Sequence, residues 1–278
     1  MMRSILVTLF ITSFLFAKQN ICVSIPPQDF FVHKIANNLA KTTVLIPPGS
    51  SPATFTPKPS QLKAIRDCSI YFTIGVPFEK NWLERFKSIN PTLKIIDTTK
   101  GIQKQPISSE HEKEHTHNAL DPHVWLSPGL VKKQVTIIKD ELSYTDPKNK
   151  KIYENNYQKF LLELKLLTKQ INNKLKPLKE RKFIVFHPSF GYFAKDFNLT
   201  QISIEKEGKE PSLQYIKKVI DFAKNNQIKT IFAEPQFSQK SAKYIAKHIG
   251  GSVKTIDPLS HDWDTNLMEI AKSFEKAN

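Results

Sequence analysis

Short apolar runs alternate with segments whose apolar residues recur every three or four positions, and this rhythm occurs twice with one long helical stretch between. Residues 21–25 form the first strand-like run, and Phe30, Phe31, Ile35, Ala36 and Leu39 follow it at helical spacing. Further runs occupy 43–46, 70–74 and 93–96, then 183–186, 199–204, 230–233 and 253–256. Strands alternating with helices imply βαβ units and mainly parallel sheets. Four runs fall before residue 100 and four after residue 180. The pattern therefore predicts an α/β protein of two lobes, each a small, mainly parallel sheet with flanking helices.

The stretch between the lobes opens on the helix-start signal Asp146-Pro147. After it Ile152, Tyr153, Tyr157, Phe160, Leu161, Leu164, Leu167, Ile171 and Leu175 recur at three- and four-residue intervals as far as Pro177. With no Gly and no interior Pro, this predicts one continuous helix of roughly seven to eight turns at ~3.6 residues per turn. Such a helix bridges the lobes as a rigid strut and leaves only small relative rocking. The expected organisation is a signal peptide at 1–17, a first lobe at 18–145 with a histidine-containing loop at 108–120, a linking helix at 146–177, and a second lobe at 178–278.

Arg3, the apolar run 5–16 and Ala17 have the order of a secretory signal. The run is short for a membrane span. Cys22 follows Asn20-Ile21, which is not the small-residue context of a lipoprotein signal. The expected product is a soluble periplasmic protein beginning near Lys18. Cys22 and Cys68 each lead an apolar run. Export permits a disulfide between them, and two separate buried thiols fit equally; neither cysteine lies in the C-x-x-C spacing of a zinc site. The net charge of +15 changes little. The lysines are scattered over predicted helix faces rather than clustered with aromatics, and no nucleic-acid motif is present, so a nucleic-acid partner is not expected.

The candidate chemistry lies in the histidines. His111, His115 and His117 sit in a polar run without periodicity, and His123 follows in Asp121-Pro122-His123-Val124-Trp125-Leu126-Ser127-Pro128. These are four of the chain's eight histidines. Pro122 stiffens the backbone before His123, and Ser127-Pro128 reads as an N-cap followed by proline at the first helical position. One imidazole is thus fixed while three stay in a loop, as suits capture of a transition metal. In open α/β sheets ligands bind beyond the carboxyl ends of strands. His187, Glu234 and Asp257 each directly follow an apolar run and point to a shared cleft, with Glu234 as a supporting residue.

The loop Ile46-Pro47-Pro48-Gly49-Ser50-Ser51-Pro52-Ala53-Thr54-Phe55-Thr56-Pro57-Lys58-Pro59-Ser60, the motif around His123, His187-Pro188-Ser189-Phe190-Gly191-Tyr192-Phe193, and Phe232-Ala233-Glu234-Pro235-Gln236-Phe237-Ser238 together resemble the metal-binding periplasmic solute-binding proteins of ABC importers, most closely the zinc type. The resemblance runs from about Cys22 to the C-terminus. It implies two α/β lobes bridged by a rigid helix, a metal between them, and an inner-membrane ABC permease as partner to a monomeric carrier. By matching motifs it assigns His123, His187 and Asp257 as ligands. A histidine at position 187 implies Zn²⁺, because a glutamate there accompanies manganese importers; manganese or iron in the same fold is the alternative. The short His111/His115/His117 loop implies accessory metal recruitment. One position departs from the family pattern: Ala53 stands where the first ligand histidine is usual. Water, or a loop histidine such as His117, is the expected replacement.

Three ligands and an open position also describe a catalytic zinc site. A zinc-dependent hydrolase would need a base beside the water and a polarising group. Glu234 is a candidate base, but no H-E-x-x-H or comparable signature accompanies it. The sequence therefore favours a carrier over an enzyme.

Overall fold

The computed structural model describes residues 18–107, 120–205 and 210–276. The signal segment 1–17 and His111, His115 and His117 lie outside the described residues.

The first lobe holds β1 (Gln19–Val23), α1 (Pro26–Ala36), β2 (Ala40–Val44), α2 (Pro59–Asp67), β3 (Ile70–Thr73), α3 (Pro77–Ile89) and β4 (Lys94–Asp97). Its sheet has the order β2-β1-β3-β4 and every pairing is parallel. After a turn of 3-10 helix at Val124–Leu126 come α4 (Pro128–Thr145) and α5 (Lys150–Leu175). The second lobe holds β5 (Lys182–Val185), α6 (Gly191–Asp196), β6 (Thr200–Ser203), α7 (Leu213–Asn225), β7 (Thr230–Ala233), α8 (Lys240–His248), β8 (Ser252–Thr255) and α9 (Trp263–Glu275). Its sheet repeats the topology as β6-β5-β7-β8, again wholly parallel.

From β3 to β8 each strand keeps to within a residue of its apolar run, whereas β1 and β2 begin two and three residues earlier than theirs. The run expected at 43–46 is a strand from Ala40 to Val44, because an edge strand carries backbone pairing through residues with no apolar demand. Leu45 and Ile46 are buried beyond the strand end and still donate to Val23 and Ser24 carbonyls. The long helix starts later than Asp146. Pro147–Asn149 forms a separate 3-10 turn, after which α5 runs for 26 residues, about seven turns. Tyr153, Phe160, Leu164, Leu167, Ile171 and Leu175 form its buried stripe.

α5 packs against α1 and α4 on one side and α9 on the other, so it backs both lobes. The lobes also touch directly. Trp263 of α9 meets Phe30 and Phe31 of α1 at ring centroid distances of 6.0 and 5.2 Å, and Phe160 of α5 packs on both phenylalanines. One apolar cluster thus runs without a break from the first sheet through α5 into the second lobe. A smaller cluster fills the space between the second sheet and α7 and α8.

Cys22 on β1 and Cys68 just before β3 form a disulfide, with Cα atoms 5.8 Å apart. The parallel register sets Cys22 beside Tyr71 and Ile21 beside Ile70, so Cys68, just ahead of β3, is within reach of the Cys22 side chain. This resolves the alternative left open by the sequence, and it occupies the Cys22 sulfur.

Candidate metal centre

Each lobe delivers one imidazole to the cleft, and each imidazole is held by a carboxylate. His123 enters at the start of the 3-10 turn, two residues after Asp121. Asp121 is buried, and its Oδ1 accepts from the His123 backbone N–H at 2.9 Å and lies 2.7 Å from His123 Nδ1. A carboxylate only accepts, so Nδ1 carries the proton and Nε2 keeps its lone pair. The turn is locked downstream as well. Ser127 caps α4 by accepting from Leu130 N–H at 3.1 Å, and its hydroxyl donates to Asp196 on α6 of the opposite lobe at 2.6 Å.

His187 follows β5. Its Nδ1 lies 2.9 Å from Glu205 Oε2, which fixes the same tautomer and leaves Nε2 available. Phe237 stacks on its ring at a centroid distance of 4.6 Å. The rings of His123 and His187 approach to 5.2 Å, edge to face. Imidazole nitrogen left free in this way is the kind of donor that suits zinc.

Glu234, at the end of β7, is fully buried. Among the described residues it makes no hydrogen bond to the imidazole ring. Its carboxylate accepts from the His187 backbone N–H at 3.2 Å and from Ser189 Oγ at 3.0 Å, and so fixes the turn that presents His187. Burial pushes its carboxyl up to about 7, opposed by His187 and by the Ser189 hydroxyl.

Asp257 lies beyond β8. Its Oδ1 accepts from Gln236 Nε2 at 2.7 Å and from Leu259 N–H at 2.9 Å. The next residue, Pro258, accepts at its carbonyl from Trp125 Nε1 at 2.7 Å, while Trp263 Nε1 donates to the Trp125 carbonyl at 2.7 Å. These bonds tie the turn after β8 to the segment that carries His123. The structure therefore joins His123 with His187, and holds Asp257 through Gln236, the residue before the phenylalanine stacked on His187. Among the described residues no three His, Cys, Asp or Glu side chains converge as an assembled metal cluster. Ala53 is exposed in its loop, with a backbone N–H that donates to Ser51 Oγ at 3.3 Å.

Asp121 and Glu205 receive no role from the sequence reading. Asp121 is visible only as the first letter of the motif around His123. Glu205 obeys the rule that selects His187, Glu234 and Asp257, since it directly follows the apolar run 199–204. Opposite Gly191, an added Cβ would lie 2.9 Å from Asp121 Oδ2 and 3.0 Å from Gln105 Nε2. The absence of a side chain at 191 lets the second lobe close over the carboxylate that holds His123.

Comparison with known proteins matches residues 21–276 to the family model described as zinc-uptake complex component A, periplasmic. The chain is 30% identical over 252 residues to the high-affinity zinc uptake system protein ZnuA of Bacillus subtilis, covering 87% of this chain and 79% of that protein. A crystal structure of ZnuA superposes with a TM-score of 0.89 at 46% identity, covering 94% of this chain and 99% of the other. A ZnuA deletion mutant with zinc bound superposes with a TM-score of 0.88 at 45% identity, covering 94% and 98%.

Proposed function

The chain belongs to the zinc-uptake complex component A family, and on that premise we propose that it captures Zn²⁺ between its lobes and delivers it to an inner-membrane ABC permease. The family is a solute-binding component of uptake rather than a catalyst, so the hydrolase alternative is set aside. Among the described residues no helix is long and apolar enough to cross a membrane, which accords with a periplasmic carrier released by removal of residues 1–17.

The observation that carries the reading is the pair of imidazoles from different lobes, 5.2 Å apart, each with its Nδ1 on a carboxylate. In this reading His123 Nε2, His187 Nε2 and an Asp257 oxygen bind the ion. Two imidazoles favour zinc over manganese, whose preference is for oxygen donors. With Ala53 in place of the usual first histidine, water or a histidine of the 108–120 loop completes the shell. His111, His115 and His117 then serve as accessory recruiters.

The test is elemental analysis of protein purified without added metal, followed by Zn²⁺ titration of the parent, His123→Ala, His187→Ala and a His111/His115/His117 triple alanine variant. Stoichiometric zinc in the parent and loss in both single variants is expected. A parent that carries no zinc and binds it no better than His187→Ala overturns the reading. Loss of affinity in the triple variant assigns the remaining position to the loop, whereas parent-like affinity assigns it to water.

A further inference from the structure

Gln236 sits between the two halves of the second-lobe site. Glu234, two residues before it, holds the His187 backbone, and Phe237, directly after it, stacks on the His187 ring. Gln236 itself turns toward Asp257. Its amide nitrogen is 2.7 Å from Asp257 Oδ1, and this assignment of the amide is the only one chemistry permits, since a carbonyl oxygen placed there would face a carboxylate. Leu259 N–H donates to the same oxygen at 2.9 Å. Oδ1 is therefore doubly occupied, while Oδ2 makes no hydrogen bond among the described residues.

The other end of the carboxamide is the telling part. Gln236 Oε1 is buried and has no hydrogen-bond partner. Buried carbonyl oxygens are nearly always paired, because leaving one unpaired costs free energy. An unpaired acceptor beside an oriented carboxylate is suited to a cation or to a water held by one, and it repels anions.

We propose that Gln236 is a positioning residue for metal capture. Its amide clamps Oδ1 of Asp257 so that Oδ2 faces the ion, and its Oε1 accepts from the ion's water or meets the ion itself. The inference rests on the assignment of Asp257 as a ligand made above. It gives the second lobe a neutral oxygen acceptor while the first-lobe loop carries Ala53 where a second first-lobe imidazole is usual.

The experiment is a Zn²⁺ competition titration against a chromophoric chelator with the parent, Gln236→Met, Gln236→Leu, Asp257→Ala, the Gln236→Met/Asp257→Ala double variant and His187→Ala, with thermal melting of each metal-free protein. Gln236→Met and Gln236→Leu are expected to lower affinity about tenfold, as loss of an outer partner does. The loss in the double variant should be smaller than the sum of the two single losses, because residues that act through one another do not add. The metal-free melting temperature of Gln236→Met should change little, since the substitution removes an unpaired buried acceptor together with the donor to Asp257. Parent-like affinity in both Gln236 variants, with zinc lost in His187→Ala, overturns this inference and leaves the carrier reading standing. Additive losses in the double variant also overturn it. Equal affinity of parent and His187→Ala removes the carrier reading and this inference with it.

Discussion

The imidazoles of His123 and His187 meet edge to face at 5.2 Å although they arise from different lobes. What suits this pair to metal donation, beyond an aromatic contact, is the equivalent restraint on each ring: Asp121 takes Nδ1–H of one at 2.7 Å and Glu205 that of the other at 2.9 Å. Both lone pairs are thereby confined to Nε2.

Asp121→Asn and Glu205→Gln should each weaken Zn²⁺ binding about 10- to 100-fold, because the ring loses its orienting charge and its fixed tautomer. Calorimetric titration measures this, with circular dichroism confirming the fold. Affinity unchanged in both would remove the carboxylates from the account.

Gly191→Ala should damage the same place from the other side. Its methyl would press on Asp121 Oδ2 at 2.9 Å, and Asp121 is short and anchored. Overpacking of this kind costs about 1–3 kcal/mol, and zinc affinity should fall with it. Gly129→Ala is the control: its nearest atom is Ser127 Oγ at 3.6 Å, an ordinary contact, so denaturant midpoints should stay level or rise. Equal effects at the two glycines would discredit the crowding argument.

Glu79 gives the fold a pH dependence independent of metal. It lies buried on α3, accepting from Ser24 Oγ and from the Ile74 and Gly75 N–H groups at 2.9 and 2.7 Å. Burial, reinforced by Asp97 and opposed by these donors, pushes its carboxyl up to about 7. A raised carboxyl binds its proton more tightly in the folded chain than in the unfolded one. The associated stability is fully present below the ordinary carboxylate range and is lost as pH rises through about 7. The loss is on the order of 3 kcal/mol at ~1.4 kcal/mol per unit. Urea unfolding at pH 5 and pH 8 should show the parent losing stability upward and Glu79→Gln losing much less. Parallel profiles would contradict the assignment.

Reduction of the disulfide should be costly. Cys22 and Cys68 close a loop with a sequence separation of 46. Chain-entropy reasoning puts the stabilisation at about 4 kcal/mol for a loop of that size. A Cys22→Ser/Cys68→Ser variant should unfold at a distinctly lower denaturant concentration, and a shift under about 1 kcal/mol would show that the unfolded chain gains little from release.

The sequence displays those parts of this structure whose physics is local. β1, β3, β5 and β7 are internal to their sheets, so their apolar runs mark them plainly. β2 lies at an edge, where half the surface is wet and the pattern blurs, and its limits shift most; β1, though internal, begins two residues before its apolar run. His123 and His187 stand out because a proline and an apolar neighbour frame each, with a strand end just before His187. Glu205 does not, since Lys206 and Glu207 follow it and the group reads as a solvated charge run. Glu79 is equally hidden: an acidic residue in the first turn of a helix looks like a favourable surface charge, and only the packing of Ser24 and Tyr71 over it reveals its burial. The role of Gln236 depends on where Asp257 arrives in space, which no run of neighbouring residues encodes.

The aromatic seam formed by Phe30, Phe31, Phe160 and Trp263 carries a consequence for recognition. Swinging the halves wide apart would tear solid hydrocarbon contacts and cut two indole tethers, so the molecule has no cheap gaping form. Whatever distinguishes a filled carrier from an empty one must then be written in side-chain rotamers and short turns at the rim. On the proposed reading, a permease downstream has to read that fine print on a nearly unchanging silhouette, and unloading requires it to loosen those turns rather than wait for the halves to part.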